Sequence, residues 1–183
     1  MGGLREQVAT FDARVDAWVD RHRSPALDRV FYSLSSAADH GMLWHAVGVA
    51  HAVRTRRAVF ALRFSAALGA ESAITNGGVK SLFRRVRPTE HFEHDEPLPY
   101  GMRRPITSSF PSGHAATAFM CASVLGKGRA SAPAWFALAA LVAGSRVYVR
   151  MHHASDVLAG AALGLALAPA ARRFVAEGRA LQR

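Results

Sequence analysis

The chain has 183 residues, 50% hydrophobic and 20% charged, which leaves no room for a second core beside a single domain. A formal net charge of +10 asks for an anionic partner, and nucleic acid is disfavoured: basic residues gather at the ends of apolar segments, with no zinc spacing, RNA-binding signature or basic helix with interleaved aromatics. The single Cys121 excludes an intrachain disulfide, gives no redox compartment, and reads as a small packing residue on an apolar helix.

In chain order, Leu4, Val8, Phe11, Val15, Trp18 and Val19 recur at helical spacing among charges. Residues 1–24 therefore predict an amphipathic helix, on a membrane surface or packed on a bundle, too charged to span. They lack the basic-then-apolar order of a cleaved signal peptide, so insertion would use internal segments. Pro25 opens a second helix, through Leu34. Gly41 to Val53 is apolar but short, and spans only if extended back through Ser35-Ser36-Ala37-Ala38, carrying Asp39 and His40 with it. Ala58 to Val79 is long enough for a bilayer, which takes roughly 20 residues. Its Arg63, Glu71 and Asn76 must then face protein or water. Thr89 to Phe110 reads as a polar loop, rich in Pro, charge and His. Gly113 to Leu125 is a further short apolar helix, stopped by Gly126-Lys127-Gly128, and Pro133 to Val149 and Ala154 to Ala170 complete the set. Gly160 and Gly164 stand at small-xxx-small spacing, which permits close helix packing.

The predicted fold class is all-α: one domain over residues 1–183, an integral membrane helical bundle of about four to six helices. The N-terminal amphipathic helix precedes a motif-bearing bundle at about 27–170, interrupted by the long polar loop. A soluble bundle is the alternative, because apolar runs of about 13 residues also serve as core helices.

Three short segments carry chemistry. In Lys80-x6-Arg87-Pro88 the two cations are about two turns apart, which puts them on one helix face. Pro88 disfavours helical geometry at Arg87 and so sets Arg87 at the end of that helix. The pair suits the non-bridging oxygens of a phosphate; with Arg84 and Arg85 it equally suits a basic flank at lipid headgroups. In Pro111-Ser112-Gly113-His114, Ser112 is a good N-cap, Gly113 admits close approach to the backbone, and the free amides of a helix start bind anions. An ordinary capped helix with an interfacial histidine is the other reading. In Ser145-Arg146-x5-His152-x3-Asp156, the i,i+4 pair shares a helical face. The carboxylate can then fix one ring nitrogen and leave the other free to react. Asp156 as a cap of the last helix, beside interfacial His152 and His153, is the other reading.

In this order, each at the end of an apolar helix, the three segments resemble the type 2 phosphatidic acid phosphatase superfamily, membrane lipid phosphatase branch. The resemblance covers roughly Leu27 to Leu167, with every signature position filled. It implies that His152 is the nucleophile, Asp156 its orienting partner, and His114 the acid that protonates the leaving oxygen and later the base that activates water. Lys80, Arg87, Ser112, the Gly113 amide and Arg146 would bind the phosphate. Such a set meets the needs of phosphoryl transfer, charge on the equatorial oxygens and in-line partners, so no cofactor and no metal is expected. The reaction implied is hydrolysis of a phosphomonoester or diphosphate on a lipid through a phosphohistidine. Candidate substrates are polyprenyl phosphate or diphosphate, phosphatidate and phosphatidylglycerol phosphate. The expected partners are that lipid and the bilayer, with no nucleic acid.

Alternative functions are a phosphatase for soluble phosphoesters, a vanadate-dependent oxidation at the same oxyanion site, and a non-catalytic membrane protein that binds anionic headgroups. Binding alone does not require two histidines and an orienting acid. His91 and His94, with Glu93, Asp95 and Glu96, read as a solvated acidic loop rather than a metal site. Glu71 and Asn76 read as polar contacts inside the bundle, and His40, His45 and His51 receive no chemistry. Arg54, Arg56, Arg57, Lys127, Arg129, Arg172 and Arg173 would mark the cytoplasmic side, which puts the site outside. Abundant Ala and Arg suit a bacterial source, and the cytoplasmic (inner) membrane is the expected location.

Overall fold

The computed structural model describes residues 2–88 and 107–177. The expectations for His91, His94 and most of the Thr89 to Phe110 loop lie outside these. The described residues form seven α-helices: α1 Gly2–Arg21, α2 Pro25–Ala37, α3 Met42–Thr55, α4 Ala58–Ser72, α5 Gly113–Gly126, α6 Ala132–Tyr148 and α7 Ala154–Glu177.

Local chemistry explains most boundaries. Ser24 caps α2 by accepting from the Leu27 amide, with Pro25 at the first helical position. The helix runs past Leu34 to Ala37. Left-handed conformations at His40 (φ 53°) and Gly41 (φ 71°) then break the path. The backward extension that a spanning third helix would need therefore does not form; Ser35 and Ser36 belong to α2, and Asp39 sits in a one-turn elbow. After α4, a π-turn (Ala73–Gly78) and a 3-10 turn (Val79–Leu82) continue the helical path, so that Ala58–Leu82 is 25 residues long. The chain turns extended at Phe83 (φ −126°, ψ 143°). Lys80 and Arg87 thus do not share a helix face, contrary to the reading from spacing. Helix α7 carries Pro169 within it and continues beyond the expected end at Ala170.

Helix α5 is the centre. Ala115, Ala116, Ala118, Cys121 and Ala122 are all fully buried between α6 and α7. Its small side chains admit close neighbours: a Cβ on Gly160 would strike the Ser112 carbonyl, and one on Gly164 the Ala116 carbonyl. One apolar cluster centres on Trp44, Phe64, Met120 and Val142, and a second on Tyr32, Val147, Val149 and Met151 beneath the motif residues. Leu62, Leu141, Leu158 and Leu165 point outward from α4, α6 and α7. Ala58–Leu82 and Ala154–Ala176 are long and apolar enough to cross a membrane.

Helix α1 splits its apolar residues between two sides. Its apolar residues do not form one inward face: Val19 is buried, whereas Leu4, Phe11 and Trp18 are exposed. The inward side carries Asp12, which is buried, and Asp16 and Asp20, which bind Arg150.

Candidate active site

The third motif is built on the turn between α6 and α7. The amides of Met151 and His152 both donate to the Arg146 carbonyl, at 3.0 and 3.1 Å, while Arg150 takes a left-handed conformation (φ 57°). The loop folds back on the end of α6 and buries His152 beside Arg146. Asp156 lies in the first turn of α7 and accepts from the His153 amide at 2.9 Å. His152 precedes that helix, so the pair meets across a capping turn rather than along a helical face. Nδ1 of His152 stands 3.7 Å from Asp156 Oδ2, an ion-pair distance too long for a hydrogen bond. Catalytic hydrogen bonds are often long before substrate binds. The other ring nitrogen, Nε2, is 3.3 Å from Arg87 Nη1.

The second motif joins this turn directly. The Ser112 amide donates to the Asp156 carbonyl at 3.0 Å, which locks the starts of α5 and α7 together. Ser112 caps α5 and accepts from the Ala115 amide at 3.5 Å. The Gly113 and His114 amides lie in the first turn, where a helix offers no acceptor. A Cβ on Gly113 would sit 2.9 Å from Asn76 Oδ1, the end of an exposed side chain that would have to shift. His114 Nε2 is 2.8 Å from Asp39 Oδ1 in the elbow before α3. Arg146 Nη1 is 3.6 Å from that same oxygen and donates to Ser35 Oγ at 2.5 Å.

The first motif arrives along the extended segment after Leu82. That segment pairs with the chain entering α5: the Arg85 amide donates to Ser108 Oγ at 3.1 Å, and the Ser109 amide to the Arg85 carbonyl at 3.0 Å. Arg87 then reaches across, donating from Nη1 to the Met151 carbonyl at 2.6 Å and from Nη2 to the Thr107 carbonyl at 3.2 Å. Lys80 is buried and feels the charges of Arg87, Arg146, Asp156 and Glu71. Glu71 itself accepts from Thr75 and Thr117 inside the bundle.

All three segments therefore converge. Burial is the main force holding His152 well below the usual histidine range, assisted by Arg146, Arg87 and Lys80 and opposed by Asp156. Burial likewise brings Arg87 down to about 10, against the Asp156 charge. Burial raises Asp39, but the His114 hydrogen bond and the charges of His114, Arg146 and His40 outweigh it and hold the carboxyl below its usual range. Three buried cations thus face Asp39, Glu71 and an Asp156 already engaged elsewhere. Among the described residues, Arg87 Nε and Arg146 Nε have no hydrogen-bond partner. Buried charge that is not compensated is costly. A tetrahedral oxyanion would relieve it, beside a neutral imidazole and a helix start.

Four residues that sequence reasoning did not assign are part of this arrangement: Asp39 and Ser35 around His114 and Arg146, and Arg85 and Asp12 behind Asp156. Arg85 is not a headgroup flank. Its Nη1 reaches Asp156 Oδ1 at 2.7 Å and its Nη2 reaches Asp12 Oδ2 at 2.6 Å. No local pattern signals these contacts, since Asp39 meets a histidine 75 positions away and Asp12 an arginine 73 away.

Comparison with known proteins gives concordant matches. The family model described as the PAP2 superfamily matches residues 58–179. A lipid A 1-phosphatase of Porphyromonas gingivalis is 39% identical over 74 residues, covering 36% of this chain and 17% of the relative. The chain therefore spans only a small part of that curated relative. Among solved structures, a transmembrane PAP2-type phosphatidylglycerolphosphate phosphatase from Bacillus subtilis superposes with a TM-score of 0.72 at 25% identity, over 93% of this chain and 87% of the other. LpxE of Aquifex aeolicus has the same fold, with a TM-score of 0.68 at 24% identity over 88% and 94%.

Proposed function

This chain belongs to the PAP2 superfamily, and on that premise we propose that it is an integral membrane lipid phosphatase working through a phosphohistidine. The observation that carries the reading is the cluster of buried, incompletely neutralised cations Lys80, Arg87 and Arg146 beside the uncharged imidazole of His152. The cluster suits a phosphoryl group whose charge grows on its equatorial oxygens during transfer.

In the proposed sequence, the Nε2 lone pair of His152 attacks phosphorus and the bond from phosphorus to the lipid oxygen breaks. His114 gives its proton to that oxygen, and the lipid alcohol leaves, or the lipid monophosphate where the substrate is a diphosphate. Burial, Arg146 and Lys80 bring the pKa of His114 down to about 4, and Asp39, at 2.8 Å, opposes them; the negative charge of a bound phosphate adds to the pull of Asp39 and favours the charged form before the transfer. Asp156 balances the positive ring of phosphorylated His152. Water then attacks the same phosphorus, His114 takes its proton, and the P–N bond breaks to return His152 and release orthophosphate. Ser112 and the Gly113 amide complete the cradle. Fixed cations do the neutralising that metals do elsewhere, so no metal enters any step.

The outward leucines of α4, α6 and α7, and the two long helices, support a bundle seated in lipid. Helix α1, with Leu4, Phe11 and Trp18 exposed, suits the membrane surface. The lipid A phosphate named for one relative joins polyprenyl phosphates, phosphatidate and phosphatidylglycerol phosphate, the last also named for another, as candidates. The site would face the extracytoplasmic side of a bacterial cytoplasmic membrane.

A phosphate-release panel in detergent, over monophosphate and diphosphate lipids and a soluble aryl phosphate, tests the reading. Turnover of at least one lipid, insensitive to EDTA and abolished by His152→Ala, is expected. Activity that EDTA removes and a divalent ion restores would overturn the mechanism, and preference for the soluble ester would overturn the substrate class.

A further inference from the structure

We propose that Asp12, on the N-terminal helix outside the matched family region, is a positioning residue for the nucleophile, acting through Arg85 on Asp156. The proposal rests on the reading of His152 as the nucleophile.

The geometry is a relay in which half-buried Arg85 joins two buried carboxylates. Asp12 is 3% exposed on a helix whose neighbouring positions face outward. Burying a carboxylate is costly unless its oxygens are satisfied. Both are: Oδ1 accepts from the Ser155 amide at 2.8 Å, and Oδ2 from Ser155 Oγ at 2.7 Å and Arg85 Nη2 at 2.6 Å. Arg85 is a fork between two carboxylates, because its Nη1 reaches Asp156 Oδ1 and Ser155 Oγ, each at 2.7 Å. Asp156 is fully buried, and its other oxygen, Oδ2, faces the His153 amide and Nδ1 of His152.

Asp12 thereby takes half of Arg85. Without it, the whole guanidinium charge would fall on Asp156, pulling that carboxylate away from a ring nitrogen it only just reaches at 3.7 Å. Sharing keeps Asp156 fixed in place but still available to His152. The helix carrying Asp12 is itself fastened to the nucleophile turn. Arg150 binds Asp16, Asp20 at 2.5 Å and the Asp16 carbonyl at 2.9 Å, and Arg23 donates to the Tyr148 carbonyl at 2.8 Å. The acids at 12, 16 and 20 are spaced four apart, so one face of α1 reads the 148–156 turn while the opposite side is left for lipid.

The test measures kcat and KM for Asp12→Asn, Arg85→Gln and the double variant, on whichever lipid the panel shows is cleaved fastest. His152→Ala and Arg150→Gln are assayed alongside. Each single variant is expected to lower kcat about 10- to 100-fold, as loss of an outer partner commonly does. KM should stay within about threefold, because the phosphate cations are untouched. The double variant should be no worse than the poorer single one, as members of one relay are not additive. Arg150→Gln, which loosens α1 without touching the relay, should cost kcat clearly less. A kcat for Asp12→Asn within about twofold of wild type, additive losses, or an equal loss in Arg150→Gln would each overturn the proposal. If Asp12→Asn does not fold, Arg85→Lys decides: it keeps the charge but cannot fork, so a reduced kcat at an unchanged melting temperature supports the relay and an unchanged kcat refutes it. His152→Ala separates the two claims. If that variant is inactive while Asp12→Asn is normal, only the relay fails; if it remains active, the nucleophile reading fails first.

Discussion

At the scale of single residues, His152 is kept uncharged by its surroundings. Burial, Arg146, Arg87 and Lys80 depress its pKa, and Asp156 opposes them only in part. In the proposed mechanism the neutral ring is the reactive form, so activity is present above the depressed pKa and is lost as pH falls through it. The acid limb of kcat/KM, which reports the free enzyme, should therefore lie below about pH 6.5, the ordinary histidine value. Arg87→Gln removes one depressing charge, so the residual activity should show an acid limb moved to higher pH. A pH–rate profile of the two proteins checks this, and an unmoved or lower limb would break the link between Arg87 and His152. The pairing of His152 with Asp156 was legible from spacing of four, although the two meet across a turn before α7 rather than along it. Asp39 was not legible. Its meaning depends on an elbow at His40 and Gly41 that swings a carboxylate onto a histidine far along the chain.

At the scale of elements, periodicity identified α1, α4, α5, α6 and α7 because each has a stretch of helical pattern bounded by Gly, Pro or Ser. It did not show which side of a helix would face inward. The apolar repeat of α1 left a membrane surface and the bundle both open; ion pairs through Asp16 and Asp20 set its acidic side inward and leave Leu4, Phe11 and Trp18 exposed. Spacing also misplaced Arg87, since residues 83–88 leave the helix to pair with the chain before α5, a nonlocal contact that no window on the sequence contains. The Gly160 and Gly164 reading was legible, because small residues four apart admit a neighbouring helix. Gly164→Val would drive a side chain into the Ala116 backbone. Overpacking of this kind costs about 1–3 kcal/mol or more, so the melting temperature in detergent should fall. Exposed Leu158→Val on the same helix should leave it nearly unchanged. Equal melting temperatures for the two variants would deny the close α5–α7 contact.

At the scale of the whole molecule, the fold sorts charge by end. The three motifs gather where α5 and α7 begin and α6 finishes. Arg57, Lys127, Arg129 and Arg172 line a cavity of about 290 Å³ where α5 and α7 approach their other ends. That separation is what a protein with one chemical face and one basic anchoring face would need, and it supports the proposed orientation. The composition of the chain already pointed to an anionic partner. What it did not contain was the compensation pattern, in which Arg146 is set against Asp39 and half-buried Arg85 is shared between Asp156 and Asp12, while Arg87 Nε and Arg146 Nε are unmet among the described residues. The central claim is that phosphate passes through a covalent bond to His152. Rapid acid-free quenching of the enzyme with phosphate-labelled lipid substrate, followed by peptide mass spectrometry, tests it directly. The mechanism predicts a transient phosphoryl group on the peptide carrying His152, absent from His152→Ala; turnover with no protein-bound phosphate, or with label on another residue, would contradict it.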